Sequence, residues 1–364
     1  MAPEAALLSP GTDKSRVAVV LFNLGGPDRP ESVKPFLLNL FLDPAILRVP
    51  FFVRPILARI IARARVKPAS ENYALLGGKS PLLELTQAQA TALEADLPDL
   101  SARCFVAMRY WHPFSDEVAR AVRDWQPEHV VLLPLYPQYS TTTAGSSLTA
   151  WREAAARIGL VAPVSVVCCY HSEPNYVAAT AAIIRSHYDR VRAELDPAVK
   201  LRVLFSAHGL PEVIINAGDP YQYQVEQTVA AVIRELDIPE LDSVICYQSR
   251  ATPQKWISPS TEEVIEEAAA DKVAVLVVPI AFVSEHSETL VELDIEYRDL
   301  AESLGVPAYY RVPTQNADPA FITALAEIVR NSIAKGPGLC NTNAGTACAN
   351  RNSACPYRRV VADV

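Results

Sequence analysis

The sequence predicts an α/β fold of two doubly wound lobes, each a parallel sheet covered by helices, with a cleft between them. Three observations carry this. Short runs of Val, Ile and Leu recur along the 364 residues. They are apolar almost without alternation, the pattern of strands buried on both faces and hence of a parallel sheet. Each run gives way to a loop and then a helical pattern, and this rhythm is read twice, before and after about residue 170.

In chain order the predicted strands are RVAVVLFNL (16–24), RCFVAMRY (103–110), HVVLLPLYP (129–137), VSVVCCY (164–170), RVLFSAH (202–208), SVICYQS (243–249) and KVAVLVVPIAF (272–282). Helical stretches lie between them, such as YQYQVEQTVAAVIREL (221–236). Another is STEEVIEEAAA (260–270), where Ser260 and Glu263 have capping-box spacing. The expected organisation is an N-terminal lobe over 16–168, a C-terminal lobe over 169–312, and a C-terminal helix with a cysteine-bearing tail over 313–364.

Composition bounds the function. Half the residues are hydrophobic, enough for a well-packed core. The 33 basic residues are outnumbered by 41 acidic ones, a net charge of −8 that argues against nucleic-acid binding. The 29 prolines often follow apolar runs, as in LLPLYP and LVVPIAF, so strands should end abruptly in shaped loops. The start, MAPEAALLSPGTDKS, does not read as a secretory signal, and no apolar run is long enough to span a bilayer. A cytoplasmic protein is expected. Cys104, Cys168, Cys169 and Cys246 fall in apolar runs, as small hydrophobes do, whereas Cys340, Cys348 and Cys355 crowd the last 25 residues.

In doubly wound sheets ligands sit beyond the carboxyl ends of the strands. The segments there are NLGGP, RYWHP, YPQYSTTTAGSS, HGLP, QSRATPQKW and SEHSETLVELD. Aromatics, hydroxyls, His and Glu converge in them, which suits a flat, largely apolar ligand. NLGGP is neither GxGxxG nor a Walker loop, so nucleotide binding is not expected.

His208 closes the strand RVLFSAH, and Gly209 and Pro211 shape a sharp exit after it. A lone histidine there more often satisfies a hydrogen bond than performs chemistry. A carboxylate counterpart reverses that preference, because a neutral imidazole can accept a proton at working pH. Counterparts lie in SEHSETLVELDIEY (284–297), where helical spacing puts Glu288, Glu292 and Glu296 on one face, with Glu285 at the start. An acidic face is commonly just solvated. Here, however, like charges at i,i+4 oppose the helix, and no Lys or Arg between 273 and 297 offsets them. A carboxylate stripe leading from a cleft is a route for a cation such as Fe²⁺. His112, His171 and His286 compete with His208, and spacing does not rank the four. Between Ile46 and Ser70 lie six basic residues and no acidic one. This stretch reads equally as a surface helix or as an amphipathic element lying on a membrane or lipping an apolar pocket.

Together these motifs resemble the ferrochelatases, over about residues 16–335. The landmarks are FNLGGP (22–27), YALLGGKSPL (73–82), MRYWHP (108–113), YPQYS with TTTAGSS (136–147), FSAHGLP (205–211), GDPY (218–221), YQSR with a downstream Trp256, and PIAFVSEHSETLVELDIEY (279–297). The resemblance implies two similar Rossmann-like lobes, class II chelatase-like, and insertion of ferrous iron into protoporphyrin IX, the last step of haem biosynthesis. It implies His208 and Glu288 as the catalytic and metal-site pair, and Glu292 and Glu296 as the remainder of the iron path. Leu24, Arg109, Tyr110 and Trp256 match porphyrin-pocket positions, Leu24 where other members carry Met or Tyr. Fe²⁺ is a substrate, and no organic cofactor is implied. Peripheral contact with the inner face of the membrane through residues 46–70 fits such a ligand, and a homo-oligomer is compatible with the pattern. Iron insertion into coproporphyrin, cobalt insertion into an earlier tetrapyrrole, and a non-catalytic porphyrin carrier are the competing readings.

Some ferrochelatases hold a [2Fe–2S] cluster with three cysteines of a C-terminal extension and one from the N-terminal lobe. The resemblance implies Cys340, Cys348 and Cys355 for the first three. Their spacing is wider than in the animal enzymes, and Thr141 stands where those place the fourth cysteine. Cys104, Cys168, Cys169 and Cys246, or an oxygen or nitrogen donor, are alternatives for it. A zinc site and a metal-free polar tail compete with the cluster.

Overall fold

The structure is a computed structural model and describes residues 15–250, 254–340 and 352–356. Two all-parallel sheets organise it. The first contains β1 (Arg16–Asn23), β2 (Ser101–Met108), β3 (His129–Pro134), β4 (Val164–Val167) and β9 (Gly338–Cys340), in the order β2-β1-β3-β4-β9. The second contains β5 (Leu201–His208), β6 (Ser243–Gln248), β7 (Ala274–Pro279) and β8 (Tyr309–Arg311), in the order β6-β5-β7-β8.

The helices of the first half are α1 (Val33–Leu42), α2 (Arg54–Leu75), α3 (Leu82–Ala95), α4 (Ser115–Trp125), α5 (Ala144–Ile158) and α6 (Pro174–Glu194). Those of the second half are α7 (Glu212–Asn216), α8 (Tyr221–Leu236), α9 (Thr261–Asp271), α10 (Ser287–Leu290), α11 (Tyr297–Leu304) and α12 (Pro319–Ala334). α9 opens with the expected capping box, Ser260 and Glu263 each accepting the other's backbone N–H.

Strand alternation explains the continuous apolar runs. Val17, Val19 and Leu21 of β1 face a central core shared with Val203, Phe205 and Leu276 of the second sheet and with α3, α6, α8 and α12. Ala18, Val20 and Phe22 face the opposite way, under α4 and α5. Leu204, Val275 and Val277 likewise pack outward beneath α9 and α11. Both faces of each sheet are thus covered, which removes any need for polar alternation.

Three local differences from the sequence reading have physical causes. The run predicted to 170 leaves the ladder after Val167, and the Tyr170 N–H turns to the Pro137 carbonyl. β8 and β9 have three residues each, too few for a periodicity to register. Residues 313–340 do not stand apart: α12 packs on α3, α6, β3 and β4, and β9 adds the fifth strand to the first sheet.

Candidate active site

His208 ends β5, its neighbour in the ladder being Gln248 at the end of β6. The ring Nδ1–H donates to the Gly209 carbonyl at 2.6 Å. In the neutral ring that contact puts the proton on Nδ1 and the lone pair on Nε2. Nε2 faces Glu288 Oε1 at 3.6 Å, both side chains being about one-third exposed at 34% and 30%. The gap is too wide for a hydrogen bond and too short for an intervening residue, so both groups remain available to a third partner. Gly209 is required in this corner. A Cβ there would lie 2.9 Å from the Gln248 carbonyl oxygen and 3.2 Å from the Trp256 ring.

Glu288 rides on α10. His286 caps that helix, its Nδ1 accepting from the Glu288 N–H at 3.0 Å. Burial lowers the His286 pKa and keeps the ring neutral, as an accepting nitrogen must be. Gln248, fully buried, is the hub behind the pair. Its Oε1 accepts from Ser206, and its Nε2 donates to the Glu288 carbonyl at 2.8 Å and to Glu292 Oε2 at 2.9 Å. Ser249 and Tyr297 also donate to Glu292. Burial, reinforced by the Glu288 charge, raises the Glu292 pKa against those hydrogen bonds.

The acidic segment is not a plain α-helix. Glu292–Glu296 form a π-helical turn between α10 and α11, and the Val291 carbonyl accepts from both Ile295 and Glu296 at 2.9 Å. Such turns recur at functional sites. The stripe survives the change of pitch: Glu288 is half-buried, Glu292 lies deeper, and Glu296 is exposed with Asn72 donating to it. Glu285 lies off this line, in an ion pair with Arg311.

The competing histidines separate. His112 is exposed beside Glu117, His171 is buried beside Cys169, and His286 is the α10 cap. Only His208 of the four meets a carboxylate of the stripe through its side chain.

The pocket positions divide as well. Trp256 is nearly buried, its ring over Gly209 and its backbone bridged to Pro211. Leu24 packs with Tyr73, whose hydroxyl reaches Ser287, the neighbour of Glu288. Burial pushes that hydroxyl's pKa up to about 12. Arg109 is committed to a network: its guanidinium meets Asp43 at 2.8 Å and Ser146 at 2.6 Å. Tyr110 departs from expectation. It is fully buried and its hydroxyl donates to the same Asp43. Arg109 keeps one edge open, its side chain 23% exposed.

The family profile described as Ferrochelatase matches residues 16–333. The chain belongs to the ferrochelatase family. The ferrochelatase of Caulobacter vibrioides is 50% identical over 94% of this chain and 98% of its own length. That of Phenylobacterium zucineum is 49% identical over 93% and 98%. Among solved structures, SirB from Bacillus subtilis, described with Fe³⁺, has a TM-score of 0.50 at 14% identity, covering 88% of this chain and 96% of that one. This likeness shows the shared fold alone.

Gln248, Tyr73 and Arg311 are parts of this ferrochelatase site that sequence reasoning did not assign. Gln248 stands in the landmark YQSR at a strand end, the one signal that pointed to it.

Proposed function

We propose that this chain inserts ferrous iron into protoporphyrin IX to form protohaem, with His208 and Glu288 facing the macrocycle's nitrogens. The observation that carries this is the 3.6 Å approach of the His208 Nε2 lone pair to Glu288, at the head of a carboxylate line running to the surface. Insertion releases two pyrrole N–H protons. His208, in its neutral form, accepts one of them at Nε2, and a carboxylate of the Glu288 stripe passes the other to solvent. Fe²⁺ exchanges water for carboxylate oxygens along Glu296, Glu292 and Glu288 before meeting the ring. A cation beside Glu292 opposes the upward pull of burial on its carboxyl and favours the carboxylate. Arg109 offers its open edge to a porphyrin propionate, while Leu24 and Trp256 supply apolar walls. The test is anaerobic Fe²⁺ insertion with protoporphyrin and coproporphyrin compared, and Zn²⁺ insertion read by fluorescence. Turnover on protoporphyrin is expected to dominate. Dominant turnover on coproporphyrin would reassign the substrate, and none on either would overturn the reading.

A peripheral place on the inner membrane face is proposed for the same protein. No described helix is long and apolar enough to cross a membrane. Phe51, Phe52, Ile56 and Ile60 are instead 60–79% exposed, on and just before α2 among its arginines. Replacing both phenylalanines by serine should reduce sedimentation with anionic vesicles, and unchanged sedimentation would refute the contact.

The cysteine tail is proposed to carry a [2Fe–2S] cluster through Cys340, Cys348 and Cys355. Cys348 lies outside the described residues, and among those described no three such side chains form a ready metal site. Support comes from what gathers around Cys355. Its thiol meets Cys168, which in turn meets Cys169. The Cys168 N–H also donates to the Cys340 carbonyl at 3.0 Å, and His171 Nδ1 beside Cys169 is buried without a hydrogen-bond partner. Cys104 and Cys246 lie elsewhere, on β2 and β6. The fourth ligand is therefore assigned to the Cys168–Cys169 pair. Visible absorption with iron and sulfide analysis tests this: a colourless wild type ends the cluster. Zinc in its place would favour the alternative metal. Colour unchanged in Cys168→Ser/Cys169→Ser would end the ligand assignment.

A further inference from the structure

Arg311 on β8 makes contacts that its place on an edge strand does not require. Its Nε and one terminal nitrogen form a two-pronged fork on Asp294 at 2.7 and 2.6 Å. The other terminal nitrogen donates to Glu285 at 2.8 Å. Glu285 is held again by the Thr314 N–H at 2.9 Å, and its own N–H donates to Asn316 at 3.1 Å. Arg311 and Glu285 are both only 10% exposed. One guanidinium thus ties together the two ends of residues 285–294. Glu288 and Glu292 lie between those ends, and the segment contains the passage from α10 to the π-helical turn.

A five-residue π-helical turn departs from the usual helical hydrogen bonding and needs outside support. The fork supplies it with fixed geometry, which an ammonium would not. Arg311 holds both oxygens of Asp294 and one of Glu285.

We propose that Arg311 is a positioning residue for metal insertion. By clasping Glu285 and Asp294 it sets where Glu288 and Glu292 stand relative to His208. This rests on the chelatase reading above.

Three variants test it: Arg311→Lys, Arg311→Met, and the charge-balanced Arg311→Met/Glu285→Gln/Asp294→Asn. Zn²⁺ and Fe²⁺ insertion is measured with metal and porphyrin varied separately, alongside thermal melting. Arg311→Lys keeps the charge and loses the fork. Its kcat/KM for metal should fall about ten- to a hundred-fold, with porphyrin KM within about two-fold of wild type. The triple variant removes the unpaired buried carboxylates, so it reports function if Arg311→Met alone fails to fold. Metal kcat/KM within two-fold of wild type in Arg311→Lys or the triple variant would overturn the proposal. So would a loss in which metal KM, porphyrin KM and melting temperature move together. A wild type without insertion activity would instead overturn the chelatase reading itself.

Discussion

Replacing His208 by alanine removes the free Nε2 and the Nδ1–H bond to Gly209 at 2.6 Å. The second loss is a single hydrogen bond, about 1 kcal/mol. Because the ring is 34% exposed, its removal leaves a solvated notch and not a sealed cavity. Glu288 is also solvated, so it is not stranded as a buried charge. Folding stability should therefore change by no more than about 1 kcal/mol. The chemical loss is larger. A positioned general base contributes about 10²–10⁴-fold, or roughly 2.7–5.4 kcal/mol of barrier. The assay is Zn²⁺ insertion followed by fluorescence and Fe²⁺ insertion under anaerobic conditions, with porphyrin binding titrated separately. The expected result is kcat down by at least about a hundred-fold with porphyrin affinity kept. Groups acting as a unit are non-additive, so His208→Ala/Glu288→Gln should be little worse than the weaker single variant. A kcat within ten-fold of wild type would refute the assignment of the proton acceptor. A fall in porphyrin affinity matching the fall in rate would refute it equally.

Two further consequences follow from the same geometry. Gly209→Ala forces a Cβ to within 2.9 Å of the Gln248 carbonyl oxygen; it should cost about 1–3 kcal/mol on melting and displace His208 enough to slow insertion, and a wild-type melting curve would contradict this. Glu292 has a folded pKa raised by burial, so the folded state holds its proton more tightly than the unfolded chain. Its contribution to stability is present at low pH and is lost as pH rises through the folded pKa. Relative to Glu292→Gln, the metal-free wild type should lose stability as pH rises from the unfolded carboxyl value of about 4.3 through the higher folded one. Parallel pH–stability curves for the two proteins would rule this out.

The sequence alone determined the layered architecture and the strand ends that carry the site. A strand covered on both faces must be apolar at nearly every position, so β1, β3, β5 and β7 announced themselves without help from any partner. The same logic placed His208 at a carboxyl edge, and the run of glutamates unrelieved by basic residues marked residues 284–297. Tertiary structure decided what local periodicity does not encode. Glu288 is 80 residues beyond His208, and only the β5–β7 pairing together with the α10 cap brings their side chains to 3.6 Å. That choice of His208 over His112, His171 and His286 is a matter of distance, not of spacing. Tyr110 matches a pocket position by resemblance to the ferrochelatases, yet its hydroxyl donates to Asp43, 67 positions away, within the core. The meeting of Cys355 with Cys168, the π-helical turn, and Arg311 reaching back to Glu285 and Asp294 have the same origin. Each depends on contacts between elements far apart in the chain, and a neighbour supplied by folding leaves no mark on the residues beside it.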